Sequence, residues 1–236
     1  MLHLISLLCF VLGVNSASAP FIKPCKQDDS ACILSASRDA VADFVKGNPD
    51  LGMKTLDPLN INLIKSDHGG LNLVFKDSTL KGLKDCSIES LKHDITKMKQ
   101  AITVKCNLLI TGDYTLSGKL LILPISGSGK YKIGIRDLIL KVNIDLAIVD
   151  GADSKPHWHI SKWHHSFKVL AGARFDFENL FNGDKALAQP VIEFANENWR
   201  DVMQEISPPV VQEILGEVIN TVESLYKAVP SEELHI

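Results

Sequence analysis

The chain has no block of basic residues, no apolar run long enough to span a bilayer, no Asn-x-Ser/Thr sequon and none of the short motifs that mark common catalytic classes. Each absence removes a function. With 25 basic against 28 acidic side chains, a net charge of −3 and no cluster of either sign, no surface is available to neutralise a phosphate backbone, and nucleic acid is excluded as a partner. The longest apolar stretch, Leu4 to Val14, falls well short of the roughly 20 residues that a membrane helix needs, and later stretches are broken by Lys, Asp or Asn. No transmembrane anchor is therefore expected. N-glycosylation is not expected either, for want of an acceptor.

Catalytic signatures fail one by one. Gly127-Ser128-Gly129-Lys130 looks like a phosphate loop, but Pro124 stands where its first glycine would be and Tyr131 replaces the required Ser or Thr. The run reads more simply as a strand connection. No nucleophile elbow occurs in a strand-turn-helix setting. His157-Trp158-His159 and Trp163-His164-His165 invite a zinc reading, because imidazoles on one strand face can share a metal. No third and fourth ligand follow at a recognisable spacing, so the expectation is no metal, no cofactor and no enzyme.

What is present is an ordinary globular composition: 236 residues, 45% hydrophobic and 22% charged, ample for a sizeable core and unlike a disordered chain. Leu4 to Val14 followed by the small residues Asn15-Ser16-Ala17-Ser18-Ala19 reads as a secretory signal over residues 1–19, cleaved somewhere within 16–19, ahead of a single domain over 20–236. An extracellular, oxidising setting follows. Cys9 leaves with the signal, and four cysteines remain. Cys25 and Cys32 enclose a short polar loop at a helix entrance, a staple worth about 2–3 kcal/mol. Cys86 and Cys106 would face each other across a hairpin centred near Thr96, or stay as buried thiols.

Periodicity sets the fold class. Ile33, Ala36, Ala40, Val41, Phe44 and Val45 recur at helical spacing behind Asp28-Asp29, and Gly47-Asn48-Pro49 stops them. An irregular connector over 51–59 follows. From residue 59 to about 181 the period becomes two, with a turn at Asp67-His68-Gly69-Gly70 and another expected at Gly112-Asp113. Tyr131, Ile133 and Ile135 hold odd positions while Leu138 to Ile148 hold even ones. A β-bulge at Arg136-Asp137 explains that switch and bends the strand. Helical spacing returns from Val191, with Pro190 beginning or kinking the helix. It is expected to break at Ser207-Pro208-Pro209 and restart there. The expected class is α+β, a long C-terminal helix wrapped by a strongly curved antiparallel sheet, with a short N-terminal helix.

Several ordered segments then resemble one family. Pro24-Cys25-Lys26 with Cys32, Leu56-Asp57-Pro58-Leu59, Gly82-Leu83, Gly112-Asp113-Tyr114, Ser117-Gly118-Lys119, Leu123-Pro124-Ile125, Asn179-Leu180-Phe181-Asn182-Gly183-Asp184 and Asn196-Glu197-Asn198-Trp199 are similar to the insect takeout family, related to haemolymph juvenile-hormone-binding proteins. The resemblance covers nearly the whole mature chain. It implies a lipid-transfer-like module with an internal hydrophobic tunnel, secretion, and carriage of juvenile hormones, fatty acids or isoprenoids without catalysis. Cys25 and Cys32 match the family's N-terminal bridge, whereas Cys86 and Cys106 lie outside the pattern.

The inward phase supplies candidates for the tunnel lining. Ile102, Val104, Leu108, Leu120 and Ile122 come first along the chain, then Ile133, Ile135, Leu140 and Val142, and finally Val191 and Phe194 on the helix. The alternative is that they fill a solid core. Tyr114 either caps the tunnel through its hydroxyl or packs as a strand residue. The N-terminal helix, through Ile33, Val41 and Phe44, is a candidate gate, or else a static lid. A long ligand hiding ~400 Å² of apolar surface gains on the order of 10 kcal/mol and loses at least ~4 to immobilisation. The expected partner is thus a small hydrophobic ligand on a monomer, with room for an unidentified receptor. A lipid ester hydrolase and a protein-binding module with a filled core and an exposed apolar patch are the competing classes.

Overall fold

The computed structural model describes residues 18–26 and 28–234; all but the last two residues of the signal expected over 1–19 lie outside the described residues. Strand length dictates the architecture. β1 (Leu59–His68), β2 (Leu71–Lys81), β3 (Ser87–Asp94), β4 (Lys99–Leu120), β5 (Leu123–Asp150) and β6 (Pro156–Phe177) form one antiparallel sheet. Its order is β1-β2-β4-β5-β6, with β3 on the other half of β4. Drawn straight, the 28 residues of β5 would reach about 90 Å at ~3.3 Å per residue. The 30-residue helix α3 (Trp199–Ala228) is about 45 Å long at ~1.5 Å per residue. Only a sheet that curls around the helix can bury its apolar face against it.

Bulges supply the bending. The β5 register slips between Arg136 and Leu138 against β6, and Asn107 of β4 alone faces the Arg136-Asp137 pair. Asp137 takes φ 54°, its N–H donates to Asn107 Oδ1 at 2.8 Å, and its carboxylate meets Lys105 at 3.0 Å. The slip keeps both Ile135 and Leu138 on the inner face, as the phase switch in the sequence requires. No turn forms at Gly112-Asp113. β4 runs straight through, and glycine is needed there because a Cβ would come within 2.7 Å of the Lys76 carbonyl oxygen and 3.0 Å of the Tyr131 ring. Gly127 and Gly129 likewise lie inside β5 rather than in a connection. The 178–180 segment crosses them so closely that Cβ atoms would sit 2.9 Å from Leu180 Cα and 2.6 Å from the Glu178 oxygen.

The C-terminal helices break elsewhere than the prolines suggest. α2 (Lys185–Glu197), capped by the Asp184 carboxylate, contains Pro190, and the chain bends at Asn198 before α3 begins. α3 then continues through Pro208 and Pro209. Ser207 is buried inside it and donates its hydroxyl to the Met203 carbonyl rather than capping a new helix. Gln204, whose carbonyl Pro208 leaves without an N–H partner, is exposed, so water can replace the missing donor.

Two apolar clusters flank α3. One joins β1, β2, α2 and the start of α3 around Phe75, Tyr131, Phe175, Leu180, Val202 and Ile206. The other joins the far ends of β5 and β6 to the C-terminal half of α3 around Leu146, Trp158, Leu215, Ile219 and Val229. Among the described residues no helix is long and apolar enough to cross a membrane.

Candidate functional site

The site begins with helix α1 (Ser30–Phe44). Asp29 caps it, its carboxylate accepting from the Cys32 N–H at 2.9 Å, and the Cys25–Cys32 disulfide ties the incoming segment to its first turn. Only Ala36 of this helix is buried. Arg38 Nε donates to the Ile88 carbonyl oxygen at 2.8 Å, next to the place where the β3 ladder slips between Ile88 and Ser90. The second disulfide, Cys86–Cys106, closes the base of the β3–β4 hairpin with Cα atoms 4.5 Å apart. The connector after α1 is pinned rather than loose. Leu51, Met53 and Leu56 are buried, and the Leu56 and Asp57 N–H groups both donate to the Val45 carbonyl.

Between α1, β3, the start of β6 and the end of α3 lies a cavity of about 270 Å³. Ile33, Val41 and Phe44 of α1 line it on one side, Ile88 and Leu91 of β3 on another, Trp158, Val222 and Leu225 on a third, and Phe21 and Ile22 of the incoming segment complete it. Three of its polar groups form one chain. Tyr226 donates its hydroxyl to Gln100 Oε1 at 3.2 Å, and the Gln100 amide bonds His93 Nδ1 at 2.8 Å. The His93 ring lies 5.0 Å from Trp158, which meets Tyr226 edge-on at 5.4 Å. Burial pushes Tyr226 up to about 12, so its hydroxyl stays neutral.

The sequence-derived lining residues divide into groups. Ile102 and Val104 sit in register beside Leu91 and Ile88, on the same face as the cavity wall but one strand behind it. Val142 and Leu140 follow on the next strand. Leu108, Leu120, Ile133 and Val191 belong to the cluster at the other end. There Leu120 and Val191 border a void of only about 20 Å³. Ile135 is partly buried against that cluster, and Phe194 on α2 is half-buried. Ile122 points away from the interior at 78% exposure. It occupies the two-residue turn between Leu120 and Leu123, where φ 54° at Leu121 ends the strand alternation. Tyr114 borders neither void and is 2% exposed. Its hydroxyl donates to the Glu178 carbonyl at 2.7 Å, which anchors the crossing segment.

The histidine-rich stretch is structural. His157 is buried between the Tyr226 carbonyl at 2.8 Å and Asp153 at 3.0 Å, and His159 meets Glu223 at 2.5 Å. Both tie β6 to the end of α3, and no metal-holding cluster exists among the described residues. Sequence reasoning missed Leu91, His93, Gln100, Trp158 and Tyr226 as cavity groups. Leu91 and His93 alternate on the hairpin that pairs with Gln100, and Tyr226 adjoins the helical stripe through Val222 and Leu225. That was the available signal.

The comparisons with known proteins agree with this geometry. The family model for haemolymph juvenile hormone binding protein matches residues 5–235. The chain belongs to the haemolymph juvenile hormone binding protein family. Within the family it is 26% identical to circadian clock-controlled protein daywake of Drosophila melanogaster, over 90% of this chain and 86% of that one. It is 24% identical to juvenile hormone-binding protein of Manduca sexta, over 59% of this chain and 56% of that protein. The crystal structure of Epiphyas postvittana Takeout 1 superposes with a TM-score of 0.88 at 31% identity, covering 91% of this chain and 99% of that one. Family membership and this superposition establish the sheet-wrapped helix as the family fold.

Proposed function

We propose that this protein is a secreted, non-catalytic carrier that holds one small hydrophobic ligand in the cavity beneath α1. The observation that carries the reading is the cavity itself. About 270 Å³ of space lies just below the ~300–1,000 Å³ usual for small-molecule sites, behind walls that are mostly apolar. In such a site dry contact alone supplies micromolar or better binding, since ~25 cal/mol per Å² of hidden apolar area exceeds the immobilisation cost for a chain-like ligand. The relatives support the same role: one is named for binding juvenile hormone, and another, from Schistocerca gregaria, is named as a putative beta-carotene-binding protein at 20% identity over 93% of this chain.

Helix α1 is the gate in this proposal. It contributes a single buried residue and is fastened by one disulfide and the Arg38 hydrogen bond, so it can tilt outward without disturbing the sheet. Two disulfides in the described chain suit an oxidising compartment. The test is mass spectrometry of protein secreted by insect cells and never refolded, first native and then solvent-extracted. A stoichiometric apolar compound is expected. Protein that emerges empty and also fails to take up fatty acid, isoprenoid and hormone probes would contradict the carrier role.

A further inference from the structure

The outer face of the sheet carries its charge unevenly. Residues opposite each other in register share a face. Lys81, Leu109, Gly134 and Arg174 therefore form one row across β2, β4, β5 and β6, pointing away from their buried neighbours Leu80, Leu108, Ile133 and Phe175. Lys105, Ile139 and Lys168 form a second row beyond the bulges. Arg136 lies at the bulge between them, its Nη2 donating to the Ala171 carbonyl at 3.3 Å, and Lys132 and Lys141 of β5 extend the patch on either side. At both ends of this face the cations are paired, Lys130 with Asp113 at 2.7 Å and Lys99 with Asp145 at 3.0 Å. Between those ends the Asp137 carboxylate is spent on Lys105, and of the acids on β4, β5 and β6 only Asp176, opposite Lys132, remains. Lys81, Lys132, Arg136, Lys141, Lys168 and Arg174 form no ion pair among the described residues.

Neighbouring strands stand about 5 Å apart and same-face residues about 7 Å apart along a strand. These cations thus lie at spacings comparable with the ~8 Å Debye length and repel one another. A face kept wet for solubility alone would mix signs, as both ends of this one do. The excess is local, since the whole chain carries −3, and no run of the sequence shows it because strand register gathers residues that are far apart along the chain. From Lys132 to Lys141 the patch is about 30 Å long. Its middle is open: a Cβ at Gly134 would meet nothing within 4 Å. Lys81, Arg136 and Arg174 border an open recess of about 890 Å³, which Asp57 and Asp85 reach from one side. A bilayer is a poor match, because the sheet curls around α3 and, of the exposed large apolar side chains, only Leu170 borders the patch. We propose that this face binds a linear sulfated polysaccharide, the polyanion that a secreted protein meets outside cells, with Arg136, Lys168 and Arg174 at its centre. The proposal takes secretion from the carrier reading and makes no use of the cavity.

The test is the affinity of the full secreted protein for heparin across a salt series at neutral pH, beside phosphatidylserine vesicles. Retention on heparin at physiological ionic strength is expected despite the negative net charge. Counterion release makes log K fall linearly with log salt, and Lys141→Ala, Lys168→Ala and Arg174→Ala should each reduce that slope by about one. Lys99→Ala and Lys130→Ala, at the paired ends, change net charge equally and should leave it unchanged. Gly134→Glu puts a carboxylate at the centre of the patch without displacing a packed atom, and is expected to weaken binding at least about tenfold. No retention at physiological salt, equal losses of slope for paired and unpaired cations, or binding to vesicles without binding to heparin would overturn the proposal. Uptake of the apolar fluorophore N-phenylnaphthylamine should be the same in all these variants. It reads the carrier role separately, so a wild-type protein that takes up no fluorophore but binds heparin would count against that role alone.

Discussion

At the α2 end of the molecule the space between sheet and helix is filled, whereas at the α1 end it is open. The filled end is closed by rings: Phe75 stacks on Tyr131 at 4.2 Å, and Tyr114 meets Phe177 edge-on at 4.9 Å. Both tyrosine hydroxyls are satisfied there, Tyr131 by Ser78 at 2.7 Å and Tyr114 by the Glu178 carbonyl. Glycines at 112, 127 and 129 let backbones approach closely, and the void among Leu120, Val191 and Ile206 holds only about 20 Å³, although a shallow open recess of about 890 Å³ runs outside it along Leu108, Ile135 and Trp199. At the open end a helix with one buried residue covers the Trp158 and Tyr226 rings without closing on them, and about 270 Å³ stays unfilled. The same sheet and the same helix run through both ends. The difference teaches that stability and capacity are assigned to separate halves, so each can change without the other.

The comparison breaks most visibly under truncation. Phe75→Ala, at a site with 0% exposure, is expected to cost about 3–5 kcal/mol. Val41→Ala on the cavity wall should cost about 1 kcal/mol or less, both read by urea unfolding. Equal losses would mean that α1 is core and not cover. Next in size, Ala40→Phe places a ring in the cavity and is expected to weaken uptake of an apolar fluorophore at least about tenfold while moving stability by less than about 1 kcal/mol. An overpacked Leu120→Trp at the filled end should do the reverse, costing ~1–3 kcal/mol and leaving uptake intact.

Arg38→Ala removes the hydrogen bond from α1 to the Ile88 carbonyl. Stopped-flow release of bound fluorophore should speed up severalfold, with little change in unfolding midpoint. The smallest effect concerns pH. His165 lies in the ring ladder Trp163–His165–Phe167, and burial lowers its imidazole below the ordinary value of 6.5. A lowered histidine gives its full contribution above that value and loses it as pH falls below it. His165→Phe should therefore flatten the decline in melting temperature between pH 7 and 5, and an identical slope would refute the assignment.

Much of this was legible in the residues, and the exceptions have physical causes. The phase switch after Ile135 located the β5 bulge because side-chain alternation cannot survive an inserted residue. The hairpin centred near Thr96 places Cys86 and Cys106 opposite each other, and the β3–β4 register brings them close enough to form the disulfide. Ile122 misled because a two-residue turn preserves the alternating pattern while turning its side chain to solvent. Ser207-Pro208-Pro209 carries the local chemistry of a helix start, yet packing of Met203, Ile206 and Ser207 against the sheet holds the helix together there. The cavity was the least legible feature. Period two tells which face of a strand is inward, but how far away the opposite wall stands depends on where α1 docks, and that is a contact between distant parts of the chain.

The most direct test is a co-crystal with a long-chain alcohol brominated at its terminal carbon, located by anomalous scattering. The account predicts one bromine peak inside the α1 cavity, among Phe21, Ile33, Val41, Phe44, Trp158 and Leu225. A peak among Leu120, Val191 and Ile206 at the filled end, or on the outer surface alone, would contradict it.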